Sequence, residues 1–406
     1  MHGMRPFGDL LDLDDAMARW LEAVVVSDAQ DLVRLADALG RTLAGADVTP
    51  KVGMPPFDRA TMDGYAVGAA GLAAQPPALT LVGGAGALAG APYGAEVGTH
   101  EAVRIATGAA VPAGAQAVVP VERTHEDAGQ VSISADDPVA IGQFIQRAGS
   151  EARAGDTILL PVGRHLGPHE VGLLAAAGHA EVTVAARPVV AILVSGDELV
   201  APGQPLGPGQ IYEANAVVLA ALAQQAGARA EAHAVVADTL EATVDAIRAA
   251  AASADFVWIA GGASVGKHDH VEAAIKQIGD IIFHGIRLKP GKPLLAARVG
   301  DARILGLPGN PVSALTCARL FGVPAIRRRL GAKEAPVAVM RLPLAEAVSG
   351  APGRDTILPV AISPGGCVPT FRDSGALTSL TRADGWIRVP AATVWAQGAL
   401  VDVRLW

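Results

Sequence analysis

The stretch from Pro188 to about residue 331 alternates short apolar runs with segments of helical period. The runs VVAILV, AEAHAVV and DFVWIA come first, and DIIFHGI, LLAAR and RILGL follow. Helices are predicted from about Ala216, near Glu241 to Ala251, over His270 to Ile278 and from Pro311. Strands that alternate with helices of this length predict a doubly wound, mostly parallel sheet.

The rest of the chain lacks this alternation. Apolar residues from Leu10 to Leu43 recur at helical spacing, with Asp14 and Ser27 as candidate caps, which predicts a helical N-terminal arm of two helices. Short runs among many Gly and Pro residues predict β structure before about residue 142 and again after about Ala332. We therefore expect an α/β multidomain protein with an elongated helical and linker domain (1–46 and 143–181), a β-rich insert (47–142), a doubly wound α/β domain (182–331) and a small C-terminal β-barrel-like domain (332–406).

Composition and charge exclude several classes of protein. At 406 residues the chain is too long for one ordinary core, and a net charge of −8 gives no overall attraction for nucleic acid or an anionic membrane. Only Cys317 and Cys367 are present, without CxxC spacing, which argues against a disulfide framework or a cysteine-held metal. The N-terminus lacks the apolar core of a signal peptide, and no run of about 18 uncharged apolar residues occurs, so we expect a cytoplasmic protein.

Two loops rich in Gly and Pro, in LKPGKPLLA and GLPGNPVSAL, have the features of an anion site. In the first, Lys289 and Lys292 flank a Pro-Gly turn whose shape is restricted by proline. In the second, Asn310 is a candidate cap for a helix whose first residue is Pro311, which would leave backbone N–H groups and the positive dipole end for a ligand. Either loop alone is more often an ordinary surface turn.

The loops that follow the predicted strands carry further polar groups, and ligands of a doubly wound sheet bind at that edge. The loop GGASVG after DFVWIA, with Gly262, Ser264 and Gly266, suits a nest of backbone N–H groups for a phosphate, although it is equally often structural. Asp197 and Glu198 follow a buried strand, where carboxylates need a cation or a donor, and Mg²⁺ prefers such ligands. Simple solvation of that loop is the alternative.

The β-rich insert contains a second set of candidates. The segment PPFDRATMDGYAV places Asp63 just before a predicted strand, and RIATGAAVPAG offers the donors Arg104 and Thr107 in a turn. An Asp-Gly pair such as Asp63-Gly64 is most often only a hairpin turn, and Arg104 is as often a solvated strand residue.

Taken together, these segments resemble the molybdopterin molybdotransferase family, the MoeA type, which is homologous to the C-terminal domain of gephyrin. PPFDRATMDGYAV, RIATGAAVPAGAQAVVPVE, SGDELVAPGQPLGPGQIYEAN, GGASVGKHDHV, LKPGKPLLA and GLPGNPVSAL occur in the family's order and spacing over nearly the whole chain. The combination is specific, whereas none of the segments would suffice alone.

The resemblance implies a transferase of molybdenum cofactor biosynthesis that inserts molybdate, as substrate, into adenylylated molybdopterin and releases AMP with Mg²⁺. It implies a homodimer whose cleft is shared between subunits, an upstream adenylyltransferase as partner, and neither nucleic acid nor membrane as a target. The catalytic positions of the family are matched by Asp63, Thr107, Glu198 and Asp269. Of these, Asp63, Glu198 and Asp269 would hold the metal. The implied substrate-binding residues are Gly262, Ser264, Gly266, Lys289, Lys292, Pro308, Gly309, Asn310, Pro311 and Ser313.

A few residues depart from the family's usual pattern. Lys267 stands where an acidic residue is usual, beside the GGASVG loop, and Ala60 replaces a usual serine. These changes keep two alternatives open, a non-catalytic pterin-binding or scaffold homologue and a paralogue that inserts tungstate. If the resemblance is set aside, a generic phosphate-binding α/β enzyme is the remaining interpretation.

Overall fold

The computed structural model describes residues 9–136, 138–233, 235–261, 270–333 and 338–406. The chain divides into two compact units. Unit 1 contains Met1–Asp31, Gly40–Thr42 and Ala185–Trp406, and unit 2 contains Leu32–Leu39 and Leu43–Val184. Unit 2 is therefore inserted into the sequence of unit 1. The finer boundaries between four domains stay predictions.

The N-terminal arm contains one α-helix instead of two. Helix α1 (Leu13–Glu22) follows Asp12 and buries Leu13, Ala16 and Trp20, which lie on one face at helical spacing. The expected second helix is wrong, because Gln30–Arg34 forms strand β1 and a 3₁₀ turn follows it. Strand pairing with Glu181–Ala185 satisfies this backbone and overrides the helical spacing of its side chains.

Unit 2 is built mainly of short strands. Its elements are β2 (Arg59–Ala60), β3 (Gly64–Val67), β4 (Leu79–Ala87), β5 (Glu101–Ile105), β6 (Ala117–Pro120), β7 (Thr124–Asp127), β8 (Gln130–Ile133), β9 (Ile145–Gln146), α2 (Pro168–Ala176) and β10 (Glu181–Ala185), which continues into unit 1. Six of the strands form one sheet in the order β6-β3-β5-β4-β8-β7. Along β3, Tyr65 and Val67 belong to one core cluster and Ala66 to another, so both faces of the sheet are covered.

The first part of unit 1 after residue 185 carries the predicted strand and helix alternation. Its elements are β11 (Val189–Val194), β12 (Leu199–Val200), β13 (Ile211–Tyr212), α3 (Asn215–Gln225), β14 (Arg229–Ala232), α4 (Leu240–Ala251), β15 (Phe256–Ala260), α5 (His270–Ile278), β16 (Asp280–His284), β17 (Leu288–Lys289), β18 (Leu295–Val299), β19 (Ala302–Leu307), α6 (Pro311–Cys317), a π-helical stretch (Ala318–Gly322) and α7 (Val323–Arg329). The sheet order is β14-β11-β15-β19-β18-β16. Strands β14, β11, β15 and β19 are parallel, whereas β18 and β16 are antiparallel, which confirms the mostly parallel sheet.

The last part of unit 1 is a second β structure. Its elements are β20 (Val339–Pro343), β21 (Val348–Ser349), β22 (Asp355–Ser363), β23 (Gly366–Pro369), α8 (Thr378–Thr381), β24 (Gly385–Val389), β25 (Val394–Trp395) and β26 (Leu400–Leu405). The main sheet runs β17-β22-β24-β26-β20, so the short strand that carries Lys289 pairs with β22. This pairing brings the first lysine loop next to the C-terminal β structure. None of the helices in the described ranges is long and apolar enough to cross a membrane.

Candidate active site

Three loops at the carboxyl ends of the parallel strands lie against one another. A Cβ atom added to Gly261, after β15, would lie 2.5 Å from the carbonyl oxygen of Ser195, after β11. A Cβ added to Gly309, after β19, would lie 3.6 Å from the Cα atom of Gly261. Gly261 has a φ of +97°, which favours glycine, so the close approach of these backbones depends on it. The strand order thus brings the loops to one edge, as the sequence pattern predicts.

The loop after β19 is held in place by Asn215, which the sequence analysis did not select. Asn215 is the first residue of α3 and is only 9% exposed. Its Nδ2 atom donates a hydrogen bond of 2.7 Å to the carbonyl oxygen of Gly309. Its Oδ1 atom is buried and has no hydrogen-bond partner among the described residues. The side-chain amide of Asn215 therefore uses its only hydrogen bond among the described residues to hold the candidate substrate loop. We infer that Asn215 positions this edge of the sheet.

The carboxylates after β11 are exposed, so solvation of the loop accounts for their charge as well as a bound cation would. Asp197 and Glu198 both lie at the surface. Neither side chain makes a hydrogen bond or ion pair with another described residue. Gly196 has a φ of +154°, and a Cβ added there would lie 2.8 Å from the Oε2 atom of Glu198. The carboxylate of Glu198 therefore folds back over Gly196 at the sheet edge.

The first lysine loop lines a cavity of about 370 Å³. Lys289, Lys292 and Arg354 supply three cationic side chains to its wall. Ser313, 5% exposed, and Ser374 add hydroxyl groups, and the remaining lining residues are Leu288, Pro290, Gly291, Pro293, Phe371 and Asp373. Three cations around two hydroxyl groups, with a single carboxylate, make this cavity suitable for a multiply charged oxyanion. We call it the oxyanion pocket.

The helix beside the oxyanion pocket begins where the sequence predicts, but its start differs from the expectation. Pro311 is its first residue, and Asn310 precedes it. Asn310 occupies the N-cap position, but its side chain makes no capping hydrogen bond; its Nδ2 atom donates a hydrogen bond of 2.8 Å to Oγ of Ser374. The backbone N–H of Val312 donates to the carbonyl oxygen of Ser374 at 3.0 Å. The expectation of free N–H groups is therefore wrong for Val312, because a distant loop already supplies its acceptor. Pro308, just upstream, is buried.

The C-terminal wall of the oxyanion pocket was missed from the sequence. Arg354 lies immediately before β22, and Phe371 and Ser374 lie in the loop between β23 and α8. The local runs GAPGRD and FRDSG resemble ordinary surface turns, and the sequence analysis did not select these residues. The pairing of β17 with β22 places Arg354 near Lys289, and the hydrogen bonds from Asn310 and Val312 hold Ser374 at the start of α6.

Unit 2 brings together two other predicted site residues. The Oδ1 atom of Asp63 accepts a hydrogen bond of 2.8 Å from the backbone N–H of Thr107, and both residues are exposed. The carbonyl oxygen of Ala60 accepts another of 2.8 Å from the N–H of Gly108. Gly64 is required here, because a Cβ at this position would lie 1.9 Å from the carbonyl oxygen of Val119. The Asp-Gly pair thus leads directly into β3 and presents the Asp63 carboxylate beside a glycine turn.

Arg104 has a structural role in unit 2. Its Nε atom donates to Oε2 of Glu126 at 3.0 Å, and the hydroxyl group of Tyr65 donates to the same oxygen at 2.6 Å. The hydrogen bond from Tyr65 and those from Arg104 lower the pKa of Glu126 below its ordinary value. Arg104 is therefore occupied on the sheet surface, in line with the alternative interpretation.

Several predicted residues lie outside the described part of the chain. These are Gly262, Ser264, Gly266, Lys267 and Asp269. Within the described ranges, no group of three or more His, Cys, Asp or Glu side chains could hold a metal ion. Asp63 and Glu198 belong to different units. The paired carboxylates Asp197 and Glu198 nevertheless fit a Mg²⁺ that takes its other ligands from water and phosphate, which is its usual mode of binding.

Comparison with known proteins identifies the family. The model of the MoeA N-terminal region (domain I and II) matches residues 11–178, that of a probable molybdopterin binding domain matches 191–328, and that of the MoeA C-terminal region (domain IV) matches 341–406. The chain is 35% identical to the molybdopterin molybdenumtransferase of Haemophilus influenzae over 326 residues, which cover 80% of this chain and 79% of the relative. It is 38% identical over 312 residues to molybdopterin molybdenumtransferase 2 of Mycobacterium tuberculosis, covering 74% of this chain and 75% of the relative.

Solved structures agree with this assignment. A crystal structure of the molybdopterin biosynthesis MoeA protein from Pyrococcus horikoshii superimposes with a TM-score of 0.81 at 32% identity, covering 98% of this chain and 99% of that one. A second structure, also of a MoeA protein from that organism, gives 0.83 at 26% identity and covers 98% of this chain and all of its own. Sequence, fold and motif order agree over nearly the full length, and the chain belongs to the MoeA family of molybdopterin molybdenumtransferases.

Proposed function

We propose that this protein is a transferase of molybdenum cofactor biosynthesis that inserts molybdate into adenylylated molybdopterin and releases AMP. The relatives named above carry the name molybdopterin molybdenumtransferase, which supports the reaction class. The observation in this chain that carries the proposal is the oxyanion pocket, where Lys289, Lys292 and Arg354 surround a space for a small anion. A cytoplasmic location remains a prediction from the sequence.

The oxyanion pocket suits the charged ends of both substrates. Molybdate is a tetrahedral dianion, and the pterin carries phosphate, so each presents several oxygens that need cationic or N–H donors. Two lysines and an arginine give flexible and planar donors, respectively, while Ser313 and Ser374 contribute hydroxyl groups. Binding both reactants near one set of cations places them for reaction and neutralises their mutual repulsion.

The edge formed by the loops after β11, β15 and β19 would hold the phosphate portion of the adenylylated substrate. Glycine at 261 and 309 lets the backbones approach one another and leaves no side chain in the way of a ligand. Asp197 and Glu198 would hold Mg²⁺ beside this edge. When bound there, Mg²⁺ would neutralise negative charge on the phosphate groups.

Asp63 and Thr107 fit a further part of the proposal, a homodimer in which each subunit completes the cleft of the other. The hydrogen bond between them fixes one exposed carboxylate oxygen and leaves the other free for a substrate donor or cation. An adenylyltransferase that supplies the adenylylated pterin is the proposed upstream partner. Mixing Asp63→Asn and Glu198→Gln subunits tests the shared cleft, because mixed dimers would regain one intact cleft while each pure variant stays slow. If the mixture is no faster than the average of the two variants, the shared cleft is wrong.

The reaction itself is tested by incubating the purified protein with adenylylated molybdopterin, molybdate and Mg²⁺ and measuring AMP. We expect AMP and active cofactor to form together. Glu198→Gln should lower the turnover number far more than pterin affinity, because a carboxylate that holds a cation acts mainly in the reacting complex. Tight pterin binding with no AMP would instead identify a non-catalytic binding homologue. Competition between tungstate and molybdate in the same assay identifies the inserted metal.

A further inference from the structure

A second cavity in unit 1, of about 620 Å³, shares no residue with the oxyanion pocket. It lies beside α1 and the end of α7. Its apolar wall is formed by Met17 and Leu21 of α1, by Val26 and by Pro324 of α7. Its volume is within the range of roughly 300–1,000 Å³ that is usual for small-molecule sites. We call it the α1–α7 cavity.

The polar lining of the α1–α7 cavity is entirely basic among the described residues. Arg327 and Arg328 come from the last turn of α7, Lys333 from the segment that follows it, and Arg404 from β26. No carboxylate is among the described lining residues, although the chain as a whole has a net charge of −8. The cavity is therefore locally positive, with four cations from three parts of the chain around one apolar wall, although the whole protein is negative.

The partners of these cations leave positive charge available to a ligand. Arg328 donates from Nε to the carbonyl oxygen of Val24 at 2.9 Å, a neutral partner. The guanidinium of Arg404 lies 5.0 Å from the ring centroid of Trp386, which likewise brings no negative charge. The side chains of Arg327 and Lys333 make no ion pair or hydrogen bond with any other described residue.

Groups near the cavity add to this excess of positive charge. Burial and the nearby charge of Arg327 both lower the pKa of Arg319, whose guanidinium lies 4.7 Å from the ring centroid of Trp406. By contrast Arg329, the next residue of the same helix turn, forms an ion pair of 2.8 Å with Asp255. Only one of the three arginines at the end of α7 therefore has a carboxylate partner in the part of the chain described.

The dipole of α7 does not account for the whole arrangement. Cations in the last turn of a helix are stabilised by its negative end, which applies to Arg327 and Arg328. Lys333 lies beyond the helix, and Arg404 is on a strand whose position is determined by a different sheet. The convergence of all four on one apolar wall needs a further reason.

We propose that the α1–α7 cavity binds an organic anion that joins an apolar body to a phosphate, sulfonate or carboxylate head. The body would contact Met17, Leu21 and Val26, and the head would accept hydrogen bonds from Arg327, Lys333 and Arg404. An apolar wall excludes water next to these cations, which strengthens their attraction for the head. The cavity is a binding site separate from the proposed oxyanion pocket, so occupancy of one does not require the other.

Binding is tested with anilinonaphthalene sulfonate, an aromatic sulfonate whose fluorescence rises when it leaves water. The full-length protein should bind the dye, and octyl phosphate or octanoate should displace it. Inorganic phosphate at the same concentration should not, because it lacks the apolar body. Displacement by inorganic phosphate to the same extent would overturn the proposal, as would failure of both octyl compounds to displace the dye.

The site is assigned with matched charge variants. Arg327→Gln/Lys333→Gln should weaken binding of octyl phosphate roughly tenfold or more, since it removes two charged donors to the head. Arg248→Gln/Lys276→Gln removes the same two charges from α4 and α5, where each cation pairs with a carboxylate on its own helix, and should leave binding unchanged. Equal weakening by the two double variants would mean that the ligand responds only to net charge. Met17→Gln should weaken octyl phosphate without altering the thermal unfolding of the protein, and an unchanged affinity would refute the apolar contact.

Discussion

Replacing Asn215 with alanine should separate stability from activity. The side chain makes one hydrogen bond, from Nδ2 to the carbonyl oxygen of Gly309. The nitrogen of the amide must face Gly309, because a carbonyl oxygen can only accept a hydrogen bond. Removing the side chain frees the Gly309 loop from α3 but also removes a buried oxygen that has no described partner. The two consequences act on the free energy of unfolding in opposite directions.

The expected size of each effect follows from the contacts. A hydrogen bond between neutral groups contributes about 0.5–1.5 kcal/mol to the free energy of unfolding, whereas a buried and unsatisfied polar atom costs about 1–3 kcal/mol. Losing the first and relieving the second gives a net effect between about 0.5 kcal/mol of destabilisation and about 2.5 kcal/mol of stabilisation, and the middle of the two ranges gives about 1 kcal/mol of stabilisation. Since Gly309 lies against Gly261 at the candidate substrate edge, we expect AMP release to fall about tenfold, equivalent to about 1.4 kcal/mol.

Two assays on the same preparation decide the matter. Urea unfolding followed by circular dichroism measures stability, and steady-state AMP release measures the function. Asn215→Asp is the informative companion, because it keeps the shape but puts a buried carboxylate against a carbonyl oxygen, which should destabilise the protein by several kcal/mol. Thr243→Val is a matched loss of one neutral hydrogen bond on α4, where the threonine hydroxyl donates to the carbonyl oxygen of Thr239 at 2.8 Å and does not contact Gly309. A loss above about 3 kcal/mol for Asn215→Ala with normal turnover would mean that Asn215 only stabilises the fold.

Two predictions concern stability and its pH dependence. Gly322→Ala should lower the free energy of unfolding by about 1–3 kcal/mol, because its Cβ would lie 2.4 Å from Cζ2 of the fully buried Trp258. Gly172→Ala lies in helix α2 with open space around its Cβ and should instead raise the free energy of unfolding by about 0.5–1 kcal/mol. Urea unfolding measures both variants, and a change of the same sign in the two would contradict this reasoning. A hydrogen bond from Arg164 lowers the pKa of Glu170 below 4.5, so this carboxylate stabilises the fold above that pH and the contribution is lost as pH falls through the lowered pKa. Glu170→Gln should therefore make stability fall less steeply on acidification below 4.5, and an unchanged slope would contradict the assignment.

The elements that the sequence predicted well are those whose signals are local. Helices α4 and α5 begin and end within about a residue of expectation, because helical period and end signals lie within the element itself. The helix expected after Ser27 failed, because Gln30–Arg34 instead pairs with Glu181–Ala185, far along the chain. Local spacing contains no information about such a partner.

The candidate site divides in the same way. Lys289 and Lys292 could be selected because they flank a Pro-Gly turn. Asn310 has the residue type of a helix cap, yet its side chain bonds Ser374, which is 64 residues away. Asn215 and Arg354 were missed for a related reason: Asn215 ends the segment SGDELVAPGQPLGPGQIYEAN, but its role depends on Gly309, and Arg354 reaches the pocket through strand pairing with residues distant in sequence.

The insertion of unit 2 into unit 1 determines the order in which the protein can fold during synthesis. Unit 2 ends at Val184, so its chain has fully left the ribosome before most of unit 1 is translated. Helix α1 is made before unit 2, but the indole Nε1 of Trp20 donates to the carbonyl oxygen of Phe321, 301 residues later, at 2.9 Å. The apolar face of α1 therefore lacks the segment around Phe321, its partner in the folded protein, until that segment has been translated. The nascent chain must therefore keep this apolar helix face soluble while the 301 residues up to Phe321 are translated.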